Sequence, residues 1–74
     1  MKAKIKLFAT LRNGRFDISD MELADGTTIF TLINSLNIER KDAAILFING
    51  IHAELDSVIK EGDEVAIFPP IGGG

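Results

Sequence analysis

The amino-acid sequence predicts an α+β fold in which one mixed sheet of four to five strands carries one main helix on one face. Segments near both ends of the chain alternate between apolar and polar residues, as half-buried strands do. One stretch in the middle has the spacing of an amphipathic helix. Since one helix covers only one face of a sheet, the opposite face is expected to remain open.

The first two strands are predicted to form a β-hairpin at the start of the chain. The segment KAKIKLFAT alternates strictly, and the letters NGR that follow are a turn signal. The segment RFDISDMEL then alternates again, but its apolar positions shift by one between Ile18 and Met21, which is typical of a β-bulge. The apolar face of the first strand is predicted to consist of Ala3, Ile5, Leu7 and Ala9.

The helix is predicted to begin after the segment ADGTT, because either Thr27 or Thr28 can cap its N-terminus. It should extend from about Ile29 to Leu36, and it is so short that packing rather than helix propensity must stabilise it. The polar segment NIERKDA then connects it to the next strand. The apolar stripe of the helix is predicted to consist of Ile29, Leu32, Ile33 and Leu36.

Three further strands complete the sheet. AILFI predicts a long strand that ends at the Asn49–Gly50 turn, and a short strand is expected near residues 51–53. EVAIF predicts the last strand, which ends before Pro69 because proline has no backbone N–H to donate. The order β-β-α-β-(short β)-β on one sheet is the β-grasp arrangement. The strand residues expected to meet the helix are Ile5, Leu7, Leu46, Ile48, Val65 and Ile67.

Composition restricts the classes of function. The 74 residues predict one domain, residues 1–74, and the absence of cysteine excludes disulfides, cysteine-bound metal and thiol chemistry. A net charge of −3 without a basic cluster argues against a nucleic-acid partner. No apolar run is long enough to span a membrane and no signal peptide precedes the first strand, so a cytoplasmic location is expected.

The open face of the predicted sheet carries three phenylalanines. Alternation places Phe8, Phe47 and Phe68 there, with Ile45 and Ala66 beside them. Isolated surface aromatics need no special explanation. The other interpretation is a docking surface with an apolar centre and a charged edge. That edge would consist of Lys4, Lys6 and Glu64.

Residues 69–74 are predicted to form a flexible C-terminal tail. Terminal glycines are most often simply disordered. Alternatively, Pro69 and Pro70 hold the chain extended as it leaves the sheet, and Gly72–Gly74 present a backbone without side chains that can enter a narrow tunnel. If an ATP-dependent partner adenylates the terminal carboxylate, its carbonyl becomes reactive toward a sulfur or amine nucleophile. Both interpretations remain open on the residues alone.

The chain shows no independent catalytic site. It has no phosphate-binding loop and no metal-ligand cluster, and its only histidine, His52, follows a turn. Its aspartates fall at predicted strand ends and turns, where aspartate commonly terminates structure. No cofactor is therefore expected to bind to this chain, and any ATP would be used by an activating partner.

The segments EGDEVAIFPPIGGG, KLFATLR and FING together resemble the small subunit of molybdopterin synthase (MoaD). The segment EGDEVAIFPPIGGG resembles the C-terminal signature of that family, a Gly-Asp-Glu-Val turn and strand followed by two prolines and a terminal Gly-Gly. KLFATLR resembles its first strand, and FING resembles the end of its third strand. The resemblance covers nearly the whole chain, and its two ends are the specific parts, above all Phe-Pro-Pro before the terminal glycines.

The resemblance implies a ubiquitin-like β-grasp fold and a sulfur-carrier role. An E1-like adenylyltransferase (MoeB type) would activate Gly74, and a sulfur donor such as a persulfide enzyme would convert it to a thiocarboxylate. The tail would then enter the large synthase subunit (MoaE type) and donate sulfur to cyclic pyranopterin monophosphate, for molybdenum or tungsten cofactor. Carried over by position, Gly73 and Gly74 are the reactive end, Pro69–Gly72 lead to it, and Phe68 belongs to the docking surface. Phe8 and Phe47 are added to that surface from the alternation.

The sequence also departs from the family pattern and leaves alternatives. Gly72 stands where a residue with a side chain is more usual, and Asn13 replaces a common acidic residue. Thiamine-pathway carriers (ThiS) and archaeal small modifiers, which form isopeptide bonds, are similarly compact. The thiamine carriers usually lack the double proline, which favours the molybdopterin interpretation. A β-grasp binding module with an inert tail is the remaining alternative.

Overall fold

The computed structural model describes residues 1–70 of the chain. Residues 71–74 lie outside this range, and with them the predictions made for Ile71, Gly72, Gly73 and Gly74. The described part contains one α-helix, five strands and two short 3₁₀ turns at Ala9–Arg12 and Arg40–Asp42. The main elements are β1 (Lys2–Leu7), β2 (Ile18–Glu22), α1 (Ile29–Ser35), β3 (Ile45–Ile48), β4 (Ile51–His52) and β5 (Glu64–Phe68).

The five strands form one mixed sheet in the order β2-β1-β5-β3-β4. The central pair, β1 and β5, is parallel, whereas the other three pairs are antiparallel. Ile5 is aligned with Val65, and Leu46 with Ile67, so the apolar residues of three strands share one face. The predicted element order and the predicted mixed sheet with one helix are confirmed.

The core lies between this face and α1. Leu32 and Ile33 of α1 are buried together with Ile5, Val65 and other strand residues. Two predicted core residues, Ile48 and Leu36, are only half-buried at its edge. The core also takes in residues outside the strands and the helix that periodicity did not indicate. These additions include Leu11, Ile38, Ala43, Ala53 and Ile59.

The predicted first hairpin is correct in its pairing but wrong in two details. Strands β1 and β2 pair without interruption from Lys2–Glu22 to Lys6–Ile18, so the described pairing contains no bulge. Ile18, the first residue of β2, is instead exposed. Ala9 is also exposed, because β1 ends at Leu7 and the chain enters a 3₁₀ turn at Ala9 with φ +52°. That turn allows Leu11 to reach the core.

The helix begins at the predicted cap. Thr28 is extended, and its side-chain oxygen accepts a hydrogen bond from the backbone N–H of Thr31 at 3.2 Å. Leu36 follows the last helical residue as the C-cap. Among residues 1–70, the helices all lack the length and apolar character required to cross a membrane.

Replacing Thr28 with alanine is expected to lower the free energy of unfolding by about 1 kcal/mol, because an N-terminal N–H of α1 loses its acceptor. The variant Thr28→Ser keeps the oxygen and should retain most of the stability. Urea unfolding of both variants measures the difference. Equal losses in the two would show that the hydroxyl has no capping role.

The turn between β3 and β4 is held to β5 by one side chain. Asn49 and Gly50 both have positive φ, +53° and +78°, as a two-residue type I′ turn requires. The Asn49 amide nitrogen donates to Asp63 Oδ1 at 2.9 Å, and its amide oxygen accepts from the Glu64 N–H at 2.9 Å. We call these two bonds the Asn49 clamp. It fixes the point at which β5 begins.

Candidate functional site: the phenylalanine surface

The face of the sheet opposite α1 carries a cluster of aromatic rings at the end of β5. The rings of Phe8 and Phe68 are stacked, with centroids 4.1 Å apart and planes at 9°. Phe47 meets Phe68 edge to face, with centroids 5.9 Å apart. All three side chains are half-buried. The three phenylalanines predicted from alternation therefore form one contiguous surface, which we call the phenylalanine surface.

Pairing across the sheet explains why these residues meet. β3 and β5 align Ile45 with Phe68 and Phe47 with Ala66, which brings two of the rings to neighbouring strands. Phe8 follows β1 directly, and its N–H donates to the Ile67 carbonyl at 3.2 Å. The Phe68 carbonyl in turn accepts from the Ala44 N–H at 3.0 Å. The end of β5 is thus hydrogen-bonded on both sides.

Charged side chains border this surface, and two of the three predicted edge residues are among them. Lys6 Nζ lies 3.1 Å from Glu64 Oε2, and both residues line a shallow groove that continues between the rings to Gly50. Lys4, the third predicted member of the edge, is aligned with Glu64 across the strands, but it is not among the residues that line the groove. Both partners of the Lys6–Glu64 ion pair remain partly in solvent, so the pair contributes little stability.

Two further residues, which the sequence analysis did not assign to this surface, contact its rings. The Arg12 guanidinium carbon lies 5.4 Å from the centroid of Phe8, and its Nε donates to the Leu7 carbonyl at 2.8 Å. His52 meets the ring of Phe47 edge to face at 5.4 Å. A signal existed for His52, since a two-residue turn at 49–50 places residue 52 opposite residue 47. Arg12 depends on the 3₁₀ turn, which the alternation did not reveal.

Of the predicted tail residues 69–74, the structure describes only the first two. Pro69 and Pro70 follow β5 immediately, with Pro69 half-buried and Pro70 exposed. They connect Phe68 to residues 71–74, which include the proposed reactive glycines and lie outside the described range. Residues 1–70 contain no group of three acidic, histidine or cysteine side chains placed to hold a metal ion. The chemistry available on the described surface is therefore apolar contact bordered by charge.

The fold and this surface define a ubiquitin-like β-grasp domain. A family profile agrees: the chain matches the ThiS family over residues 5–74 and belongs to that family. It is accordingly a member of the ubiquitin-fold class of sulfur carriers and small modifiers.

Solved structures of similar fold support the same class. The crystal structure of SAMP1 from Haloferax volcanii is 26% identical, with a TM-score of 0.76 and full coverage of both chains. A putative molybdopterin converting factor subunit 1 from Pyrococcus furiosus is also 26% identical, with a TM-score of 0.75 over 96% of this chain and 99% of its own.

A more distant structure shares the fold alone. In a complex of subunits 1 and 2 of the molybdopterin-converting factor from Helicobacter pylori, the matching chain is 17% identical, with a TM-score of 0.67 and full coverage of both chains. A search of curated protein sequences finds no significant match to this chain.

Proposed function

We propose that this chain is a sulfur carrier and acts as the small subunit of molybdopterin synthase. Membership of the ThiS family and the similarity to the Pyrococcus furiosus subunit support this proposal. The observation that carries it is the position of the phenylalanine surface. Its central ring, Phe68, is the last residue of β5 and directly precedes the two prolines that lead to the glycines.

The proposed chemistry starts at the carboxylate of Gly74. In an E1-like adenylyltransferase, a carboxylate oxygen would attack the α-phosphate of ATP, forming an acyl-adenylate and releasing pyrophosphate. Hydrosulfide would then attack the glycyl carbonyl and expel AMP. With a persulfide enzyme as the donor, the persulfide would attack instead, and a thiol would cleave the resulting acyl disulfide, which releases the thiocarboxylate and leaves a disulfide on the donor. The product is a thiocarboxylate, and hydride or electron transfer plays no part when hydrosulfide is the donor. The thiocarboxylate sulfur would finally attack a carbon of cyclic pyranopterin monophosphate and displace an oxygen substituent. Water would then hydrolyse the acyl–sulfur bond, which leaves the sulfur on the pterin and a carboxylate on Gly74.

The residues of this chain would contribute binding and positioning. Ordering a tail costs on the order of 1–2 kcal/mol for each residue, and a partner must offset that cost. Full burial of an exposed phenylalanine side chain contributes about 1.5–3 kcal/mol. Since the three rings are already half-buried, docking would add the remaining fraction of that energy at each ring. Pro69 and Pro70 lower the cost further, since their φ angles are already fixed. Gly73 allows the partner to approach the reactive carbonyl closely.

The partners in this proposal are an adenylyltransferase of the MoeB type and a large subunit of the MoaE type. The Helicobacter pylori structure is a complex of subunits 1 and 2 of the molybdopterin-converting factor, and its matching chain has the same fold as this one. In our proposal both partners contact the phenylalanine surface in turn, because each must receive the residues that follow Phe68.

Incubation with an adenylyltransferase of the MoeB type, ATP and sulfide tests the carrier role. We expect the intact mass to increase by the difference between sulfur and oxygen, and the increase to require ATP. Peptide mapping should place it on Gly74. An unchanged mass, with a known carrier loaded in parallel as the control, would contradict the proposal.

A small protein modifier is the second candidate, favoured by the similarity to the Haloferax volcanii protein over the full length of both chains. In this role, a lysine amine rather than sulfide would attack the activated carbonyl and form an isopeptide bond. Digested extracts of the source cells would then contain lysines that carry the C-terminal glycines of this chain. A thiamine-type carrier would instead support thiazole synthesis and would not restore a synthase assay with the large subunit.

A further inference from the structure

Two Asn-Gly dipeptides occur in the chain, Asn13–Gly14 and Asn49–Gly50. Asparagine before glycine is prone to deamidation. The backbone nitrogen of the glycine attacks the side-chain carbonyl carbon, a C–N bond forms, and ammonia leaves. Water then opens the resulting succinimide to aspartate or isoaspartate. The reaction needs no enzyme and no oxidant, so the local structure decides whether it takes place.

The two dipeptides are equally accessible. Both asparagines are exposed, and both glycines have positive φ, +70° at Gly14 and +78° at Gly50. A Cβ placed on either glycine would meet no atom within 4 Å, so neither attack is blocked by crowding at the glycine. Exposure and sterics therefore do not distinguish the two sites.

The Asn49 clamp does distinguish them. To approach the Gly50 nitrogen, the Asn49 side chain must give up its bonds to Asp63 Oδ1 and to the Glu64 N–H. The Asn49 backbone adds a third restraint, because its N–H donates to the Glu64 carbonyl at 2.8 Å. Asp63 is itself fixed, since its Oδ2 accepts from the Lys60 N–H at 2.8 Å.

The side chain of Asn13 has no such restraint, although the Arg15 N–H closes a turn around Asn13–Gly14 by donating to the Arg12 carbonyl at 2.9 Å. Asn13 closes the 3₁₀ turn through its backbone N–H, which donates to the Thr10 carbonyl at 3.1 Å. Within residues 1–70, its side-chain amide makes no hydrogen bond to the protein. Approach of the amide to the Gly14 nitrogen therefore requires the Asn13 ψ angle to rotate from +122°, which is opposed by one turn hydrogen bond and by no side-chain bond within residues 1–70.

We propose that Asn13 is a site of spontaneous deamidation in the folded protein, whereas the clamp protects Asn49. The product adds one negative charge and takes the net charge from −3 to −4, that is −3 − 1. The new carboxylate follows Arg12, which contacts the Phe8 ring and lies 3.5 Å from Asp17 Oδ1. The modification therefore alters the charge beside the phenylalanine surface, and it is independent of any carrier role.

Incubation at alkaline pH, followed by peptide mapping, tests the proposal. The rate at each asparagine is measured in the folded protein and in denaturant, and the ratio of the two rates gives its protection. We expect a ratio of no more than about five for Asn13, since one turn hydrogen bond must open. For Asn49, two hydrogen bonds should give a ratio on the order of ten to one hundred. Anion exchange should resolve the product by its additional charge.

Variants at Asp63 test the clamp directly. Asp63→Ala removes the acceptor and should lower the protection of Asn49, whereas Asp63→Asn keeps an acceptor oxygen and should preserve most of it. Protection of Asn13 should not change in either variant, and circular dichroism with urea unfolding reports whether each variant retains the fold. Equal protection at the two asparagines, or undiminished protection of Asn49 in Asp63→Ala, would overturn the proposal.

Discussion

Deletion of Gly74 is expected to reduce sulfur loading about a hundredfold or more without a change in the free energy of unfolding. The shortened chain still ends in two glycines and a carboxylate, so the change affects reach rather than chemistry. One extended residue spans roughly 3.3–3.6 Å. A displacement of about 1 Å at a reacting centre already costs on the order of a hundredfold in rate. Intact-mass measurement of thiocarboxylate formation with an adenylyltransferase of the MoeB type reports the loss.

Extension by one glycine provides the matched control for this experiment. The longer chain carries the same carboxylate but places it one residue too far, so we expect a comparable loss of loading. Stability should not change in either variant, because β5 ends at Phe68 and the core is formed before the tail begins. If the shortened chain were loaded at the normal rate, Gly74 would not be the specific reactive residue.

Replacement of Phe68 with alanine is expected to weaken binding to the large subunit or the adenylyltransferase by about 2 kcal/mol or more, roughly thirtyfold. Phe68 contacts both other rings of the phenylalanine surface, stacked on Phe8 and edge to face with Phe47. Its loss therefore removes the centre of the surface rather than one edge. Isothermal titration calorimetry against the purified partner measures the change in dissociation constant.

Phe30→Ala is the matched control, because Phe30 is 42% exposed and belongs to α1, on the other side of the sheet. It removes the same ring from an exposed position and should leave partner binding unchanged. Phe68→Ala should also lose some stability, since each aromatic pair contributes about 0.5–1.5 kcal/mol beyond its buried area. Binding is therefore compared at a temperature where both variants are fully folded. Similar affinities in the two variants would refute the docking role.

The phenylalanine surface was predictable from sequence because strands have a period of two. Ile5, Leu46 and Val65 belong to three different strands and face the core. In each of these strands, the alternate residues must therefore lie on the other face of the sheet. The position of Phe68 beside Pro69 is also a matter of sequence alone. The stacking of Phe68 on Phe8 was harder to predict from the sequence, because it depends on the parallel pairing of β1 with β5, two strands far apart in the chain.

The first hairpin shows where the pattern failed. The shift between Ile18 and Met21 was typical of a bulge, since both are apolar and their separation is odd. No bulge is needed, because Ile18 lies opposite Lys6 on the face away from the helix, at the first position of the edge strand β2. Burial of Leu11 likewise arises from a 3₁₀ turn at Ala9, and such short turns carry no periodic signal.

The sequence by itself determined the order of the elements, the capped helix, the two sheet faces and the family. Each of these follows from local periodicity, turn chemistry or motifs within a few residues. Only the tertiary structure decided which rings touch, how Arg12 and His52 join them, and that Asn49 is clamped while Asn13 is not. The reason is that these contacts join residues of different strands and turns. Their geometry is set by strand register and loop conformation, which no local pattern encodes.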